Sequence, residues 1–298
     1  MKFLLDFDGT LTNIQHEYQF IREYLTRRIE TCAGIDKALF DALYHVAWEH
    51  IAQEPEKHGW IHNGRISAFC DEDLFMNIAA VMQCLDDWMA AEHPAVSGIA
   101  GKMKNAGVTF VELTEEAHMA MNQEPLCAFN TPEPEVVNAI RVLLDRDCEI
   151  VVASNSPASR IIPKFEHVGL KPVDHDDNPS ARFRIRGNAG KFILGDHPKN
   201  MQFGSRVVDV DHPAFAKIIA EERPQVMIGD VFSLDLALPM EMARLEPMIY
   251  EDMQLYLRVR PYTPQWAIDC ALNPEPGCPV SVRLLNHFAD LPALVLKR

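Results

Sequence analysis

Residues 2–12 read KFLLDFDGTLT, and they contain the most specific pattern in the chain. The apolar run before Asp6 predicts a short buried strand, and the small polar residues after it predict a tight turn. Side chains two positions apart on a strand share a face, so Asp6 and Asp8 are expected to converge at the carboxyl end of this strand. Because open α/β sheets bind ligands at that end, the two carboxylates mark a candidate site.

Two other interpretations of DFDGTLT are a surface turn and a calcium loop. Asp and Gly are common turn formers, so the motif alone is compatible with the first. A calcium loop of the form D-x-D-x-D-G would need an acid at Thr10 and a glycine at Leu11. The sequence therefore disfavours the calcium loop and leaves the turn to be weighed against the rest of the chain.

Polar residues follow two further predicted strands. Ser154 and Asn155 come directly after EIVVA, and Asp230 follows QVMIG, with Asp235 five residues later. A hydroxyl, an amide and backbone N–H groups before a helix can hold an anion. Each pattern alone is common in turns and at helix starts, but three strand ends that carry such groups favour a functional site.

Helices and strands alternate from about residue 131 onward, whereas residues 13–130 have mostly helical periodicity. The alternation predicts an α/β fold with a doubly wound (Rossmann-like) parallel sheet. We therefore expect an α/β core of residues 1–12 and 131–298 and a helical cap, residues 13–130, inserted after the first strand. Six local predictions accompany this division: a possible strand at 107–113, a helix start at Thr131-Pro132, strands at 206–210 and 247–251, an irregular segment at 261–279, and an edge strand at 280–285.

The composition narrows the possible partners and the compartment. The 298 residues carry 28 Lys and Arg against 43 Asp and Glu, a net charge of −15, which disfavours nucleic acid and anionic membranes. No apolar run approaches the ~18 residues of a membrane helix. The seven cysteines are scattered without a C-x-x-C pair, so they are expected to be reduced, as in a cytoplasmic protein.

His58 and His62 have the spacing of two zinc ligands on one helix face. Gly59 and the pair Asn63-Gly64 disfavour a helix there and predict a loop. We therefore assign these histidines no metal.

The motifs together resemble those of the haloacid dehalogenase-like (HAD) superfamily of hydrolases. DFDGTLT corresponds to the first motif of that family, VVASN (151–155) to the second and IGDVFSLD (228–235) to the fourth. The helical insert occupies the place in the chain where such proteins carry a mobile cap.

The resemblance implies roles for individual residues. Asp6 would be the nucleophile that forms an aspartyl-phosphate, and Asp8 the general acid and base. Mg²⁺ would be held by the carboxylates of Asp6 and Asp230 and by the backbone carbonyl of Asp8, with Asp235 close by. Ser154 and Asn155, with backbone amides after Asp8, would bind the phosphoryl group.

The third motif of the family, a cation that neutralises the phosphoryl group, is where the sequence departs. The expected place reads VDVDHPAF (208–215) and contains no lysine. Lys191, in RGNAGKF (186–192), is the leading candidate because small residues precede it and it lies between the second and fourth motifs. Arg206, His212 and Lys217 remain possible.

The sequence thus predicts a Mg²⁺-dependent phosphohydrolase that acts on a small phosphorylated metabolite. The second acid, Asp8, favours phosphoryl chemistry, because carbon–halogen cleavage does not need an acid there. Two alternatives stay open: a phosphomutase of the same fold, and a phosphate-binding or regulatory protein without catalysis.

Overall fold

The structure is a computed structural model that describes residues 1–124, 130–250, 252–273 and 278–296. The chain divides into two compact units. The first comprises Met1–Asn13, Ile61–Ala68 and Leu126–Arg298, and the second comprises Ile14–Trp60 and Phe69–Pro125. One segment of the predicted insert, Ile61–Ala68, therefore belongs to the first unit.

The strands that the described residues form are β1 (Lys2–Leu5), β2 (Gly59–His62), β3 (Arg65–Phe69), β4 (Glu149–Ala153), β5 (Val173–Asp174), β6 (Phe183–Arg186), β7 (Asn200–Phe203), β8 (Arg206–Asp209), β9 (Val226–Gly229), β10 (Gln254–Arg258) and β11 (Val282–Leu285). Seven of them form one sheet in the order β11-β10-β9-β1-β4-β6-β5. Every neighbouring pair in it is parallel. The strand order places later strands on both sides of β1, as in a doubly wound sheet. The predicted doubly wound parallel sheet is confirmed.

The α-helices of the described residues are α1 (Gln15–Ala33), α2 (Lys37–Ile51), α3 (Leu74–Ala90), α4 (Ala100–Ala106), α5 (Phe110–Gln123), α6 (Pro134–Asp145), α7 (Ala158–His167), α8 (Pro213–Glu222), α9 (Ala237–Leu245), α10 (Pro247–Tyr250), α11 (Gln265–Leu272) and α12 (Leu291–Val295). The core of the first unit lies where the sheet meets its helices, and it buries Phe3, Leu5, Ile140, Ile150 and Ile228 among others. Near-continuous apolar strands of this kind are typical of parallel sheets covered on both faces.

The second unit contains α1 to α5 around its own apolar core, which includes Ile21, Phe40, Val81 and Leu113. Gly34 ends α1 in the left-handed conformation, and the Asp36 side chain caps α2. The predicted strand at 107–113 is wrong. Thr109 and Glu112 form a capping box there, and this box starts α5.

Among the described residues, two hairpins lie outside the main sheet. β2 and β3 are joined by Asn63-Gly64, both with positive φ, as a two-residue turn requires. The loop predicted around His58 and His62 is therefore a hairpin. The predicted strand at 206–210 exists as β8, but it pairs antiparallel with β7 and does not join the parallel sheet.

Several boundaries near the second half of the chain differ from the sequence prediction. Pro132 lies in an isolated bridge with Thr12, and α6 begins only at Pro134. The strand predicted at 247–251 is wrong: Pro247 starts the short helix α10, where its missing N–H costs nothing, and the strand β10 follows. The predicted irregular segment contains α11, while its residues 274–277 lie outside the described residues.

β11 lies at the edge of the sheet, as predicted. The six described cysteines are free thiols, and Cys127 lies outside the described residues. Within the described parts of the chain, none of the helices has the length and apolarity needed to cross a membrane.

Candidate active site

Three neighbouring strands deliver the predicted residues to one edge of the sheet. β1 lies between β4 and β9, and Asp6, Ser154 and Asp230 each follow directly after one of these strands. The backbone N–H of Asp6 still donates to the carbonyl of Ile228 at 2.9 Å, so the sheet fixes the backbone of this residue. The convergence expected from the sequence follows from this topology.

Lys191 lies in the loop between β6 and β7 and reaches the same edge. Its Nζ is 2.7 Å from Oδ1 of Asp6 and 2.7 Å from Oδ1 of Asp235. The side chain is 2% exposed, and its ammonium lies 5.1 Å from the ring centroid of Phe215 in α8. The amide oxygen of Asn155 accepts from the backbone N–H of Lys191 at 2.8 Å and so holds the loop. A partly buried carboxylate, Asp6, and a buried one, Asp235, thus share one buried cation.

The charges of this group shift each other's protonation. Burial raises the pKa of Asp6 to about 7, with Lys191 opposing this shift and the negative charges of Asp235 and Asp8 adding to it. Burial alone would lower the pKa of Lys191, but Asp235 and Asp6 outweigh it and hold the pKa above its ordinary value. The lysine is therefore a fixed positive charge.

Asp8 is held by three donors that come from two other parts of the first unit. Its Oδ1 accepts from the side-chain amide of Asn130 at 2.7 Å. Its Oδ2 accepts from the hydroxyls of Ser154 at 3.3 Å and Ser156 at 3.2 Å. The carboxylate is thereby oriented beside the hydroxyl that is predicted to bind the phosphoryl group.

Asp235 is placed by a single turn of π-helix, Phe232–Leu236, which follows β9. Its Oδ2 accepts from the backbone N–H of Val231 at 3.2 Å. Gly229 makes this possible, because a Cβ at that position would lie 2.2 Å from the Cβ of Asp235. π-helical turns are often found at functional sites.

One carboxylate oxygen from each of Asp6, Asp230 and Asp235 lies within 4.8 Å of the others. No other group of three His, Cys, Asp or Glu side chains in the described chain meets this spacing. An all-oxygen set of clustered, mostly buried carboxylates fits a hard divalent cation such as Mg²⁺. The donor set is therefore suited to the metal that the sequence predicts.

The other three candidates for the third motif lie elsewhere. The guanidinium of Arg206 is 5.5 Å from the ring of Trp266, and Lys217 is exposed and pairs with Glu221 on α8. His212 is buried, with Nε2 2.9 Å from the carbonyl of Asp209. Among these four residues, Lys191 alone has its charge against Asp6.

Sequence reasoning missed three residues at this edge: Asn130, Arg260 and Tyr262. The phenol of Tyr262 donates to Oδ2 of Asp230 at 2.9 Å, and Arg260 donates to the backbone carbonyls of residues 9, 10 and 12. A tyrosine between two prolines carries no recognisable signal in one sequence. Asn130 could have been suspected, since a lone Asn before a helix start often has a positive φ, and here φ is 57°.

No protein-family model matches the chain, and no curated protein gives a significant match. Solved structures do resemble it. A predicted phosphoglycolate phosphatase from Haemophilus somnus is 14% identical, with a TM-score of 0.46, and the match covers 98% of this chain and 96% of that one. A putative HAD-hydrolase from Bacillus subtilis, bound to magnesium, is 10% identical with a TM-score of 0.48, over 99% and 98% of the chains.

A putative β-phosphoglucomutase from Thermotoga maritima is 12% identical with a TM-score of 0.39, over 99% and 98% of the chains. At sequence identities this low, the similarity says nothing about the reaction of this protein. The solved structures to which this chain is similar include two described as haloacid dehalogenase-like or HAD hydrolases.

Proposed function

We propose that the protein is a Mg²⁺-dependent phosphohydrolase that acts on a small phosphorylated metabolite through an aspartyl-phosphate on Asp6. The observation that carries the proposal is the contact of Lys191 Nζ with Asp6 Oδ1 at 2.7 Å. This contact supports Lys191 as the cation of the third motif, which the sequence lacks at the expected place. The cation lies against Asp6, the predicted nucleophile. Phosphoryl transfer depends chiefly on such positioned charges, because little covalent work falls to the protein.

In the first step, a carboxylate oxygen of Asp6 attacks phosphorus, and the bond from phosphorus to the ester oxygen breaks. Asp8 gives its proton to that leaving oxygen, so the alcohol departs neutral. Lys191 and the Ser154 hydroxyl bind the non-bridging oxygens, on which negative charge accumulates. The product of this step is a phosphorylated Asp6.

In the second step, the Asp8 carboxylate takes a proton from water, and the water oxygen attacks phosphorus. The bond between phosphorus and Asp6 breaks, and inorganic phosphate leaves. Asp6, Asp230 and the Asp8 carbonyl would hold Mg²⁺ with Asp235 nearby, and the ion would supply positive charge against the phosphoryl oxygens. That the substrate is small rests on the size of the helical insert in the sequence.

The experiment is a hydrolysis panel of p-nitrophenyl phosphate and sugar phosphates with Mg²⁺, combined with beryllium fluoride binding followed by fluorine NMR. Beryllium fluoride mimics a phosphoryl group on a carboxylate, so we expect a bound signal that Asp6→Asn abolishes. The matched control is Asp36→Asn, which makes the same chemical change at a helix N-cap where Asn serves equally well. Isomerised sugar phosphate without free phosphate would show a mutase, and no turnover with no bound fluoride would show a protein without catalysis.

A further inference from the structure

Tyr262 lies in a tight turn that follows β10. The turn is closed by the backbone N–H of Thr263, which donates to the carbonyl of Arg260 at 3.0 Å, and by the Thr263 hydroxyl, which accepts from Arg260 N–H at 2.8 Å. This geometry fixes the backbone on both sides of Tyr262. The side chain of Tyr262 is therefore attached to a backbone that these hydrogen bonds hold in place.

The phenol of Tyr262 reaches Asp230 from this turn. It donates to Oδ2 at 2.9 Å, while the hydroxyl of Thr10 donates to Oδ1 at 2.8 Å. Both oxygens of the Asp230 carboxylate thus accept from a hydroxyl, and these hydroxyls come from different strand ends. A carboxylate that accepts a hydrogen bond on each oxygen cannot rotate about its Cβ–Cγ bond without breaking one of them.

Gly9 leaves the space in which this contact forms. A Cβ at Gly9 would lie 2.1 Å from Oδ2 of Asp230 and 2.7 Å from the Tyr262 hydroxyl. Its φ of 81° also favours glycine. The backbone of the first motif at Gly9 and the side chain of Tyr262 therefore pack closely around Asp230, although the two segments are far apart in the sequence.

Arg260 ties the same turn to the backbone of the first motif. Its guanidinium donates to the carbonyl of Gly9, to that of Thr10 at 3.3 Å and to that of Thr12 at 2.8 Å. It also pairs with Glu133 at 2.7 Å, and its side chain is only 10% exposed. The turn thus holds both a ligand side chain and the loop that carries Asp8.

We propose that Tyr262 is a positioning residue for the metal site, which fixes the Asp230 carboxylate in the orientation that a small divalent cation requires. The inference rests on the metal site of the proposed function. Mg²⁺ demands near-ideal octahedral geometry, whereas Ca²⁺ tolerates irregular and larger coordination. Groups that hydrogen-bond a ligand from outside orient it and tune the affinity of the site.

The test compares Tyr262→Phe with the full-length wild-type protein by calorimetric titration with Mn²⁺, Mg²⁺ and Ca²⁺. Tyr262→Phe removes one hydroxyl, so we expect Mn²⁺ and Mg²⁺ to bind about 10–100-fold more weakly. Ca²⁺ affinity should fall less, and the preference for Mg²⁺ over Ca²⁺ should shrink. A purely structural role would not change this preference.

The matched control is Tyr256→Phe, which removes a hydroxyl from the buried tyrosine of β10, the strand before this turn. That hydroxyl donates to Gln254 at 3.2 Å and does not touch Asp230. Circular dichroism and thermal melting of each variant report whether it folds. If Tyr262→Phe does not fold, Thr10→Val tests the opposite hydroxyl on Asp230 by the same titrations, with the same loss of Mg²⁺ preference expected.

The outcomes separate the inference from the proposed function. Unchanged Mn²⁺ affinity in folded Tyr262→Phe, or an equal loss in Tyr256→Phe, would overturn the positioning role while the phosphohydrolase proposal stands. Weaker binding in Tyr262→Phe alone, in a protein that hydrolyses no ester, would support the positioning role and overturn the phosphohydrolase. A wild-type protein that binds none of the three ions would overturn both.

Discussion

The ammonium of Lys191 lies 2.7 Å from the carboxylate of Asp6, a residue 185 positions earlier in the chain. The same ammonium contacts Asp235, so it occupies the negative field that a metal ion would also enter. Lys191 therefore has two opposed effects: it stabilises charge on a bound phosphoryl group, and it repels a divalent cation.

We expect Lys191→Met to lower kcat by about 100–1000-fold, the usual cost of losing one charge-stabilising donor. The same variant should bind Mn²⁺ more tightly than the wild type, because one competing positive charge is gone. Ester hydrolysis and calorimetric titration measure the two effects. Lys217→Met, which removes an exposed lysine on α8, is the control and should change neither. Weaker Mn²⁺ binding in Lys191→Met would contradict the competition.

Gly9→Ala and Gly34→Ala separate backbone strain from steric exclusion. Both glycines have positive φ, but nothing lies within 4 Å of a Cβ at Gly34, whereas a Cβ at Gly9 meets Asp230 at 2.1 Å. Gly34→Ala should cost about 1 kcal/mol of unfolding free energy, from strain alone. Gly9→Ala should cost more and should also weaken Mn²⁺ binding. Equal costs in urea unfolding would refute the close approach of Asp230.

Arg65 anchors the loop that carries Lys191. From the start of β3 its guanidinium donates to the carboxylate of Asp209 and to the carbonyl of Gly195. Asp209 is 6% exposed, so Arg65→Met should leave a buried carboxylate without its cation and cost about 3 kcal/mol. Arg182→Met, which breaks an exposed pair with Asp147, should cost about 1 kcal/mol or less. Urea unfolding of the three proteins checks the contrast.

We expect the free energy of unfolding to depend on pH through His212. Burial lowers the pKa of this histidine below its ordinary 6.5, although Asp209 and Asp211 oppose the shift. As the pH falls below about 6.5, this histidine takes up a proton in the unfolded chain while it stays neutral in the folded protein. The free energy of unfolding therefore decreases as the pH falls.

The measurement is the difference in unfolding free energy between wild type and His212→Gln. The amount by which the unfolding free energy of the wild type exceeds that of the variant should decrease as the pH falls from about 7 to about 5, by at most about 1.4 kcal/mol per pH unit. An advantage that stays constant over this range would show that His212 titrates as it does in the unfolded chain.

The sheet and the acids at its edge could be predicted from the sequence because both depend on local patterns. The alternation of side chains places Asp6 and Asp8 at the end of β1, and parallel strands bring Ser154 and Asp230 to the same edge whatever the loops between them do. Lys191 was one of four candidates by sequence, since no local rule says how far a loop of small residues lets a lysine reach.

The errors come from tertiary contacts that override short patterns. The apolar run Pro247–Tyr250 reads as a strand, yet Met248 is 87% exposed, so the run is not buried and Pro247 starts a helical turn instead. Arg260 contacts residues about 250 positions away and Tyr262 contacts a residue 32 positions away, and only the folded sheet brings these groups together. One sequence contains no periodicity that reports such a contact.

The charges around Lys191 also bear on the order in which ligands arrive. Four acids, Asp6, Asp8, Asp230 and Asp235, share this edge with Lys191, while the charge of Arg260 is paired with Glu133, so a phosphate ester that enters alone meets net negative potential. A divalent cation meets an attractive one. We therefore expect ordered addition, with the cation first, and an apparent affinity for the ester that rises with the concentration of the cation.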